Sequence, residues 1–421
     1  MISGAREILR FFDQYTINLW TIILLYFWSV WSIKLICSLR YKPVDSDFNT
    51  TVSVIIPTYH EDEKILTEAI SKILKYPKEI VSEVIIVTDV RESELPKKLE
   101  MKYSNEDRMH IIQSPPGKRE ALDLGIRRST NDIIITMDSD TYLDEKTIPE
   151  IIKPFIDKNI GGVVSDQRIY NPYGNVVNFF NTLVEGVKYK ITVPTLSIFG
   201  NVTVLAGRCV AYRRNVVVSV LPELINEKFL GKKCISGDDG RLTSLVLKAG
   251  WKTVYQSTAI VYTVSPPTWS SLIRQRIRWN RNTSRRTIRA LLCFDGRWVW
   301  KRPVATLHMI FNWTGAIMVG LAIYALTLSI YTGLWFWFGY TLYDTFLRLG
   351  IFMTGITLTR FVRISPILKY HHTRKWVWFP LFPMYLIVMW MARIYAIFTM
   401  NKQGWITRKY SGAGGFCVKK S

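Results

Sequence analysis

Two aspartates separated by one residue follow an apolar run in the first half of this 421-residue chain. They are Asp138 and Asp140, directly after the pattern DIIITM at 132–137. Two carboxylates at a strand end are able to hold a hard divalent cation against a diphosphate, with other positions left for water. A solvated turn with an Asx cap is the commoner explanation of an isolated pair. The rest of the chain must therefore decide between the two interpretations.

A second acidic pair lies in SGDDGRLT at 236–243, where Asp238 and Asp239 begin a helical pattern. Acidic residues are favoured at a helix N-terminus, so the pair has a plain capping explanation. Its functional interpretation is a general base. One carboxylate would take the proton from an attacking hydroxyl group while a metal ion stabilises the departing diphosphate.

The motif QRIRW at 275–279 adds a polar and aromatic group. Gln275 and Arg278 are three residues apart, so on a helix they share one face, with Trp279 beside them. A basic face at a membrane interface explains the arginines alone. A Gln and a Trp among them favour a polar stacking site.

Two further motifs supply cations. PPGKRE at 115–120 is a turn that brings Lys118 and Arg119 to the edge of the predicted sheet, where both can meet phosphate. GWITR at 404–408 lies beyond the last apolar run and carries no signal by itself.

The elements that must position these motifs follow the pattern of a parallel α/β sheet. Short β-branched runs alternate with helical stretches of 10–15 residues between about 45 and 265. Such sheets bind ligands beyond the carboxyl ends of their strands, and Asp89 and the 138–140 triplet follow two of these ends. The strand candidates are 52–57, 83–88, 109–113 and 132–137, and the helix candidates are 62–75, 92–103 and 118–129.

Charge is distributed unevenly along the chain. There are 55 Lys and Arg against 33 Asp and Glu, a net charge of +22. Residues up to Asp239 include 30 basic and 31 acidic ones, whereas 240–421 include 25 basic and 2 acidic ones. The excess alone would indicate nucleic acid or an anionic surface as partner. The 48% of hydrophobic residues excludes a disordered chain.

Four apolar runs predict an integral membrane protein, because a bilayer core requires about 20 apolar residues. The first run lacks a small-residue cleavage site and is followed by Arg40 and Lys42, so we expect a retained anchor. Cationic loops favour the cytoplasmic side, which puts 41–303 there. The runs are 17–33, 304–330, 334–358 and 376–400, the last interrupted by Pro380, Pro383 and Arg393.

Residues 268–303 contain ten Arg or Lys against one acid, with apolar residues at helical spacing. This pattern predicts helices that lie in the membrane interface and join the α/β domain to the spans. The five cysteines are scattered and odd in number, so we expect free thiols and no zinc site.

Taken in order, these motifs resemble the processive membrane-bound family 2 glycosyltransferases, which include hyaluronan, cellulose, chitin and type 3 capsule polysaccharide synthases. The resemblance runs from about 52 to 408. It also rests on KPF at 153–155, GGVVSDQRI at 161–169, LAGRCVAYR at 205–213 and AIVYTVSPPTWSS at 259–271.

The resemblance implies an α/β domain of the GT-A (Rossmann-like) fold, inserted between transmembrane helices. It also implies inverting transfer from a UDP-sugar with Mg²⁺ or Mn²⁺ as cofactor. The implied organisation is an N-terminal anchor at 1–40, a cytoplasmic GT-A domain at 41–266, interfacial amphipathic helices at 267–303, a C-terminal transmembrane bundle at 304–400 and a tail at 401–421.

Site roles are carried over position by position. Asp140 matches the favoured direct metal ligand, with Asp138 as its partner in the DxD pair, and Asp239 matches the general base, with Asp238 beside it. The positions that match contacts to nucleotide, diphosphate or acceptor are Pro57, Glu61, Asp89, Lys118, Arg119, Asp138, Gln275, Arg278, Trp279, Trp405, Thr407 and Arg408. Two positions depart from the family pattern, because Gly240 separates the acidic pair from Arg241 and Ile406 replaces a glycine.

The leading hypothesis is a processive synthase that polymerises sugar from UDP-sugars at the cytoplasmic face of the plasma membrane and passes the chain through its own membrane part. One alternative is non-processive transfer of a sugar to a polyprenyl or dolichyl phosphate, against which QRIRW argues. A basic membrane protein that binds nucleic acid or anionic lipid explains the charge but not the carboxylates. We therefore expect a UDP-sugar, a growing polysaccharide and membrane lipid as partners, and no nucleic acid.

Overall fold

The computed structural model describes residues 25–315, 317, 354, 357–368 and 373–403. An eight-stranded sheet with helices on both faces forms its centre. The strands are β1 (Val52–Pro57), β2 (Val81–Asp89), β3 (Met109–Ser114), β4 (Ile133–Met137), β5 (Thr141–Leu143), β6 (Ile160–Ile169), β7 (Cys209–Arg213) and β10 (Lys252–Thr263), with a separate small hairpin of β8 (Lys228–Phe229) and β9 (Lys232–Lys233).

The helices alternate with these strands in the first half of the chain, as the sequence pattern predicts. A π-helical turn, Lys188–Thr192, joins the helix Val176–Val187 to the helix Val193–Ile198. The helices are α1 (Glu63–Leu74), α2 (Glu94–Lys102), α3 (Lys118–Arg128), α4 (Thr147–Ile152), α5 (Val176–Val187), α6 (Val193–Ile198), α7 (Arg214–Ile225), α8 (Asp238–Lys248), α9 (Trp269–Leu291) and α10 (Phe382–Phe398).

The strand order is β3-β2-β1-β4-β7-β6-β10-β5. Strands β3, β2, β1 and β4 pair in parallel, with Val54 of β1 opposite Val84 on one side and Ile135 on the other. The expectation of a wholly parallel sheet is wrong, because β7 is antiparallel to both β4 and β6, and β5 is antiparallel to β10. The α/β class is confirmed, and the sheet is mixed.

The central strands are apolar on both faces, as expected for parallel strands covered by helices. In β1, Val52, Val54 and Ile56 contact α1 and α4 on one face, while Ile55 contacts α3 on the other. All four side chains are fully buried. This rigid centre holds the carboxyl ends of β1, β2 and β4 side by side.

The C-terminal part of the described chain contacts this domain at both ends of α10. At the start, Phe382 lies 5.3 Å from Phe180 of α5 between ring centroids. At the end, Arg281 Nε of α9 donates to Thr399 Oγ1 at 3.0 Å, and Arg285 Nη1 donates to the Met400 carbonyl at 2.8 Å. Helix α10 therefore lies along α9 and stays attached to the domain.

Within the part of the chain that the structure describes, one helix, Arg374–Phe398, is long and apolar enough to cross a membrane. It coincides with the predicted run 376–400. The other predicted runs, 17–33, 304–330 and 334–358, lie partly or mostly outside the described residues, although 25–38 and 303–315 are helical.

Candidate functional site

A cleft of about 1070 Å³ opens at the carboxyl ends of β1, β2 and β4. It gathers 11 of the 12 predicted site residues that the structure describes, although they come from widely separated motifs. Trp405, Thr407 and Arg408 lie outside the described residues. The predicted residues that line the cleft are Pro57, Glu61, Asp89, Lys118, Asp138, Asp140, Asp238, Asp239, Gln275, Arg278 and Trp279.

A lysine joins the two acidic motifs at the centre of the cleft. Lys118 is the first residue of α3, and its Nζ lies 2.6 Å from Oδ1 of Asp138 and 3.5 Å from Oδ2 of Asp238. Burial alone would lower the pKa of Lys118, but Asp138 and Asp238 raise it above its ordinary value. The lysine therefore stays charged and holds carboxylates from β4 and α8 together.

The second acidic pair opens helix α8. Gly237 precedes it with φ of 82°, and a Cβ there would come within 2.9 Å of the Asn282 side chain, so only glycine fits. Asp239 Oδ1 accepts from the Gly240 N–H at 2.7 Å within the first turn, whereas the N-cap residue Gly237 makes no side-chain capping bond. Because both carboxylates also line the cleft, capping does not account for them fully.

The pKa values of Asp238 and Asp239 shift in opposite directions because their surroundings differ. Burial and the neighbouring Asp238 raise the pKa of Asp239. Burial alone would also raise the pKa of Asp238, but Lys118 and Arg119 bring it below its ordinary value. A raised pKa suits a group that must accept a proton and later release it, so the difference favours Asp239 as the base.

Gly207 leaves space between these groups. A Cβ at this position would lie 3.7 Å from Cβ of Asp239, 3.7 Å from Nζ of Lys118 and 4.0 Å from Oδ1 of Asp138. The backbone of Arg208, the next residue, is held beside the DSD triplet because its carbonyl accepts from the Asp138 N–H at 3.2 Å. The predicted roles did not include either residue, although the stretch LAGRCVAYR contains both.

The DSD triplet is suited to a divalent cation. Asp138 and Asp140 line the cleft, and the Ser139 hydroxyl between them donates to Glu61. Among the described residues, no group of three His, Cys, Asp or Glu side chains surrounds a metal position. Two carboxylates fit Mg²⁺ or Mn²⁺ as part of an oxygen ligand set, which water or a bound diphosphate would complete.

Another part of the cleft is lined by Asp89, the last residue of β2. Arg91 donates from Nε and Nη2 to the two oxygens of Asp89 at 2.7 and 2.6 Å, and its guanidinium lies 4.6 Å from the centroid of the Tyr59 ring. This hydrogen bond from Arg91 is the main reason that the pKa of Asp89 is lowered, against the effect of burial. Arg91 and Tyr59 were not predicted as site residues.

Helix α9 brings QRIRW to the cleft with the expected geometry. Gln275, Arg278 and Trp279 all line it. Oε1 of Gln275 is buried and has no hydrogen-bond partner among the described residues. A buried acceptor of this kind is costly unless a ligand donates to it, so the amide is a candidate contact for a substrate hydroxyl group.

Arg119 was predicted to meet phosphate, but its side chain does not line the cleft. Its side chain is 2% exposed. Its guanidinium donates to the Leu224 carbonyl at 2.8 Å, to Glu227 Oε2 at 2.7 Å and to the Ser236 carbonyl at 3.0 Å. Consecutive helix residues point in different directions. Lys118 therefore faces the cleft, while Arg119 holds the segment before Asp238 through the Ser236 carbonyl.

The second half of α9 does not have the exposed basic face expected of an interfacial helix. Arg285, Arg286 and Arg289 are buried. Arg286 donates to the Thr203 carbonyl, Arg285 to Asn282 and Met400, and Arg289 to the Lys228 carbonyl. These arginines attach α9 to the α/β domain, so a simple membrane-anchoring role does not describe them.

The cleft extends from this centre toward the C-terminal helices. His308, Asn312 and Arg393 line its far end. Arg393 donates to the Asn312 carbonyl, and Nε2 of His308 lies 3.1 Å from Nδ2 of Asn312. In the sequence Arg393 interrupts an apolar run, and its contact with Asn312 was not predicted.

Comparison with known proteins agrees with this geometry. Over 410 residues the chain is 27% identical to hyaluronan synthase of Streptococcus pyogenes, with 94% of this chain and 92% of that protein covered. It is 31% identical to an N-acetylglucosaminyltransferase of Rhizobium meliloti over 260 residues, 61% of each chain.

Among solved structures, a mannosyltransferase of Pyrobaculum calidifontis in complex with GDP-Man and Mn²⁺ superposes with a TM-score of 0.60 at 17% identity. The superposition covers 92% of this chain and 99% of that one. At this identity the likeness concerns the fold, and it confirms the predicted GT-A-like α/β architecture.

Residues 49–282 match the family described as glycosyltransferase like family 2. The matched region makes up more than half of the chain and contains both acidic pairs and QRIRW. The protein therefore belongs to the family 2 glycosyltransferases.

Proposed function

We propose that this protein is a processive polysaccharide synthase that transfers sugar from UDP-sugar donors, with inversion, to the end of a growing chain. The observation that carries the proposal is one cleft lined by both acidic pairs and by Gln275, Arg278 and Trp279 of α9. Similarity to hyaluronan synthases over nearly the whole chain supports the same activity.

In this proposal the cleft has a donor end and an acceptor end. Pro57, Glu61 and Asp89 bind the nucleoside, and Trp279 stacks on a sugar ring of the acceptor. Asp239 takes the proton from the acceptor hydroxyl group, which must come within about 3 Å of its carboxylate. Asp138 and Asp140 would hold a divalent cation, which supplies positive charge to the leaving diphosphate. Lys118 adds a second positive charge beside it.

The proposal includes a route for the product. The cleft extends past α9 to His308, Asn312 and Arg393, so a growing chain would leave the centre toward the C-terminal helices. A charged residue on an apolar helix is expensive unless it faces a polar path or a partner, which suits Arg393 at such a position. We propose an integral membrane protein whose catalytic domain is cytoplasmic and whose product crosses the membrane.

Helix α10 is proposed to lie at the membrane surface or to enter the membrane and return. Its two ends contact α5 and α9, both on the side of the catalytic domain. Beyond it, Nε2 of Gln403 donates to Sγ of Cys234 at 3.8 Å, close to the segment before Asp238. Trp405, Thr407 and Arg408 follow Gln403 in the sequence, and we propose that they contact the nucleotide.

The test is incubation of purified protein with each UDP-sugar singly and in pairs, with Mn²⁺ or Mg²⁺. UDP release and product size are measured together. Long products that need a divalent cation support the proposal, and a requirement for two donors identifies an alternating copolymer. Asp239→Asn is expected to abolish product while leaving UDP binding intact.

A single sugar linked to a polyprenyl phosphate would instead identify the non-processive alternative. Alanine at Asp138 and Asp140 is expected to remove transferase activity. A basic membrane protein that binds nucleic acid would keep its binding in the same variant and after chelation of the metal, which separates that hypothesis from an enzyme.

A further inference from the structure

A buried glutamate beside the cleft is surrounded by three cations. Glu185 of α5 is 3% exposed and lines the cleft. Its carboxylate oxygens lie 3.3 Å from Nζ of Lys188, 3.4 Å from Nη2 of Arg276 and 4.0 Å from Nη1 of Arg208. Burial alone would raise the pKa of Glu185, but the three cations lower it to about 2, so the carboxylate stays charged.

Two of these cations also contact the ring of Trp279. The guanidinium carbons of Arg276 and Arg208 lie 4.9 and 5.7 Å from its centroid. A guanidinium within about 6 Å of an indole ring is attracted by the ring quadrupole. One carboxylate does not balance three cations, and the indole ring partly compensates for the remaining positive charge. Glu185 thus pairs with both arginines that contact Trp279, at 3.4 Å from Arg276 and at 4.0 Å from Arg208.

Hydrogen bonds to neutral amide side chains also hold these two arginines in place. Oε1 of Gln167 accepts from Nη1 of Arg208 at 3.2 Å, while Nε2 of Gln167 donates to the Ala206 carbonyl at 2.7 Å. Asn181 accepts from Arg276 and donates to Oγ of Ser265 at 3.0 Å. A polar network fixed at this many points allows little change in the orientation of the ring.

We propose that Glu185 is a positioning residue for the acceptor: through Arg208 and Arg276 it sets the orientation of the Trp279 ring against which the acceptor sugar stacks. The inference rests on the proposed function, in which Trp279 contacts the acceptor. Loss of the Glu185 charge should therefore impair chain extension and leave nucleotide binding unchanged.

The test is a double-mutant cycle with Glu185→Gln, Trp279→Phe and the double variant. Each is measured for UDP affinity, for UDP release, for product length and for the midpoint of thermal unfolding. Glu185→Gln is expected to keep UDP affinity within about twofold and to shorten the product about tenfold, as a misplaced acceptor requires. The double variant should be no worse than Trp279→Phe alone, and Glu185→Asp should restore part of the product length.

Asp166→Asn is the matched control. Asp166 is 1% exposed and accepts from the Tyr255 hydroxyl at 2.8 Å, with Arg168 and Lys190 as ion-pair partners, and it does not line the cleft. This variant should lower the unfolding midpoint without selectively shortening the product. Equal shortening by Asp166→Asn, or multiplied losses in the double variant, would overturn the inference.

The proposed function fails separately, by absence of UDP release from the parent protein with every UDP-sugar. The unfolding midpoints of Glu185→Gln, Trp279→Phe and the double variant are measured without substrate. They therefore test the contact network whether or not the protein releases UDP. Non-additive midpoints for Glu185 and Trp279 support the contact network, and additive midpoints overturn it.

Discussion

Nζ of Lys118 lies 2.6 Å from Oδ1 of Asp138, so the lysine of one sequence motif neutralises a carboxylate of another. The same Nζ is 3.5 Å from Asp238, and Asp239 follows directly on α8. The positive charge of Lys118 therefore lies close to three carboxylates and offsets part of their mutual repulsion.

Replacing this lysine with Met should inactivate the enzyme. Lys118→Met removes the cation that pairs with Asp138 and Asp238 and removes a positive charge from the position proposed for the diphosphate, so we expect a loss of about 10²-fold in kcat. UDP release measures it. Lys233→Met is the control, because Lys233 pairs with Glu120 at 2.9 Å in an exposed position, and that variant should keep its rate. Comparable losses in both variants would contradict the assignment.

Activity should fall on acidification at a pH above the ordinary carboxyl range. The base must be ionised, and burial and Asp238 raise the pKa of Asp239 above its ordinary value of 3.8. The acid limb of kcat/KM against pH reports this group in the free enzyme. Asp238→Asn removes the repelling charge and should move the limb to lower pH. A shift to higher pH would rule out Asp239 as the base.

Gly207→Ala should fold normally and react slowly. The added methyl group would make only ordinary contacts, at 3.7 Å from both Asp239 and Lys118. It would nevertheless fill space between the proposed base and the charges at the diphosphate, where small displacements cost up to about 10²-fold. The check is kcat together with the unfolding midpoint. A normal rate would mean that the reacting atoms lie elsewhere in the cleft.

Glu227 should matter for stability. Its carboxylate lies 2.7 Å from Arg119, 3.3 Å from Arg289 and 3.5 Å from Arg241, and all four residues are buried. Glu227→Gln leaves buried Arg119 without a counter-charge and removes one of the acidic partners of Arg241 and Arg289, which still pair with Asp295. We expect the free energy of unfolding to fall by about 3–5 kcal/mol.

The comparison for Glu227 is Glu63→Gln. Glu63 pairs with Lys98 at 3.4 Å, and both side chains are about half exposed. An exposed pair contributes only about 0–1 kcal/mol. Chemical denaturation of both variants in detergent measures the difference, and equal effects would refute a structural role for Glu227.

The side of the membrane on which the chain leaves α10 is testable with a thiol label. Because Arg285 holds the Met400 carbonyl at 2.8 Å, we expect residue 402 on the same side as the catalytic domain. Lys402→Cys should resist a membrane-impermeant maleimide in intact cells and react in opened ones, as should Lys97→Cys on α2. The parent protein gives the background from native cysteines. Labelling of Lys402→Cys alone in intact cells would mean that α10 crosses the membrane.

The strands and helices of the first half were predictable because each repeats a local pattern. The predicted strand at 52–57 has the observed bounds, and that at 109–113 is one residue shorter than observed. The antiparallel strand Cys209–Arg213 was not predicted as an element. A run of five mixed apolar and polar residues does not indicate whether a strand pairs in parallel or antiparallel. Its pairing with β4 depends on the long connection between them, which no local pattern describes.

The same limit explains the site. Lys118 and the acidic pairs were identified because motif spacing carries their chemistry. The burial of Arg119 was not predicted although it occupies the same motif, since its partner Glu227 is more than 100 residues away in sequence. The arginines of α9 have similarly distant partners. Glu185 has no motif of its own, and only the folded chain brings it to Trp279.

The reversal of strand direction between β4 and β7 divides the chain at a useful place. Among the described residues, those that we assign to the nucleoside and the divalent cation lie within 57–140, and those that we assign to the acceptor and to proton transfer lie within 185–279. Each half is thus encoded by one uninterrupted stretch. A single recombination event between them would therefore exchange the nucleotide-binding side of the cleft and leave the acceptor side as inherited.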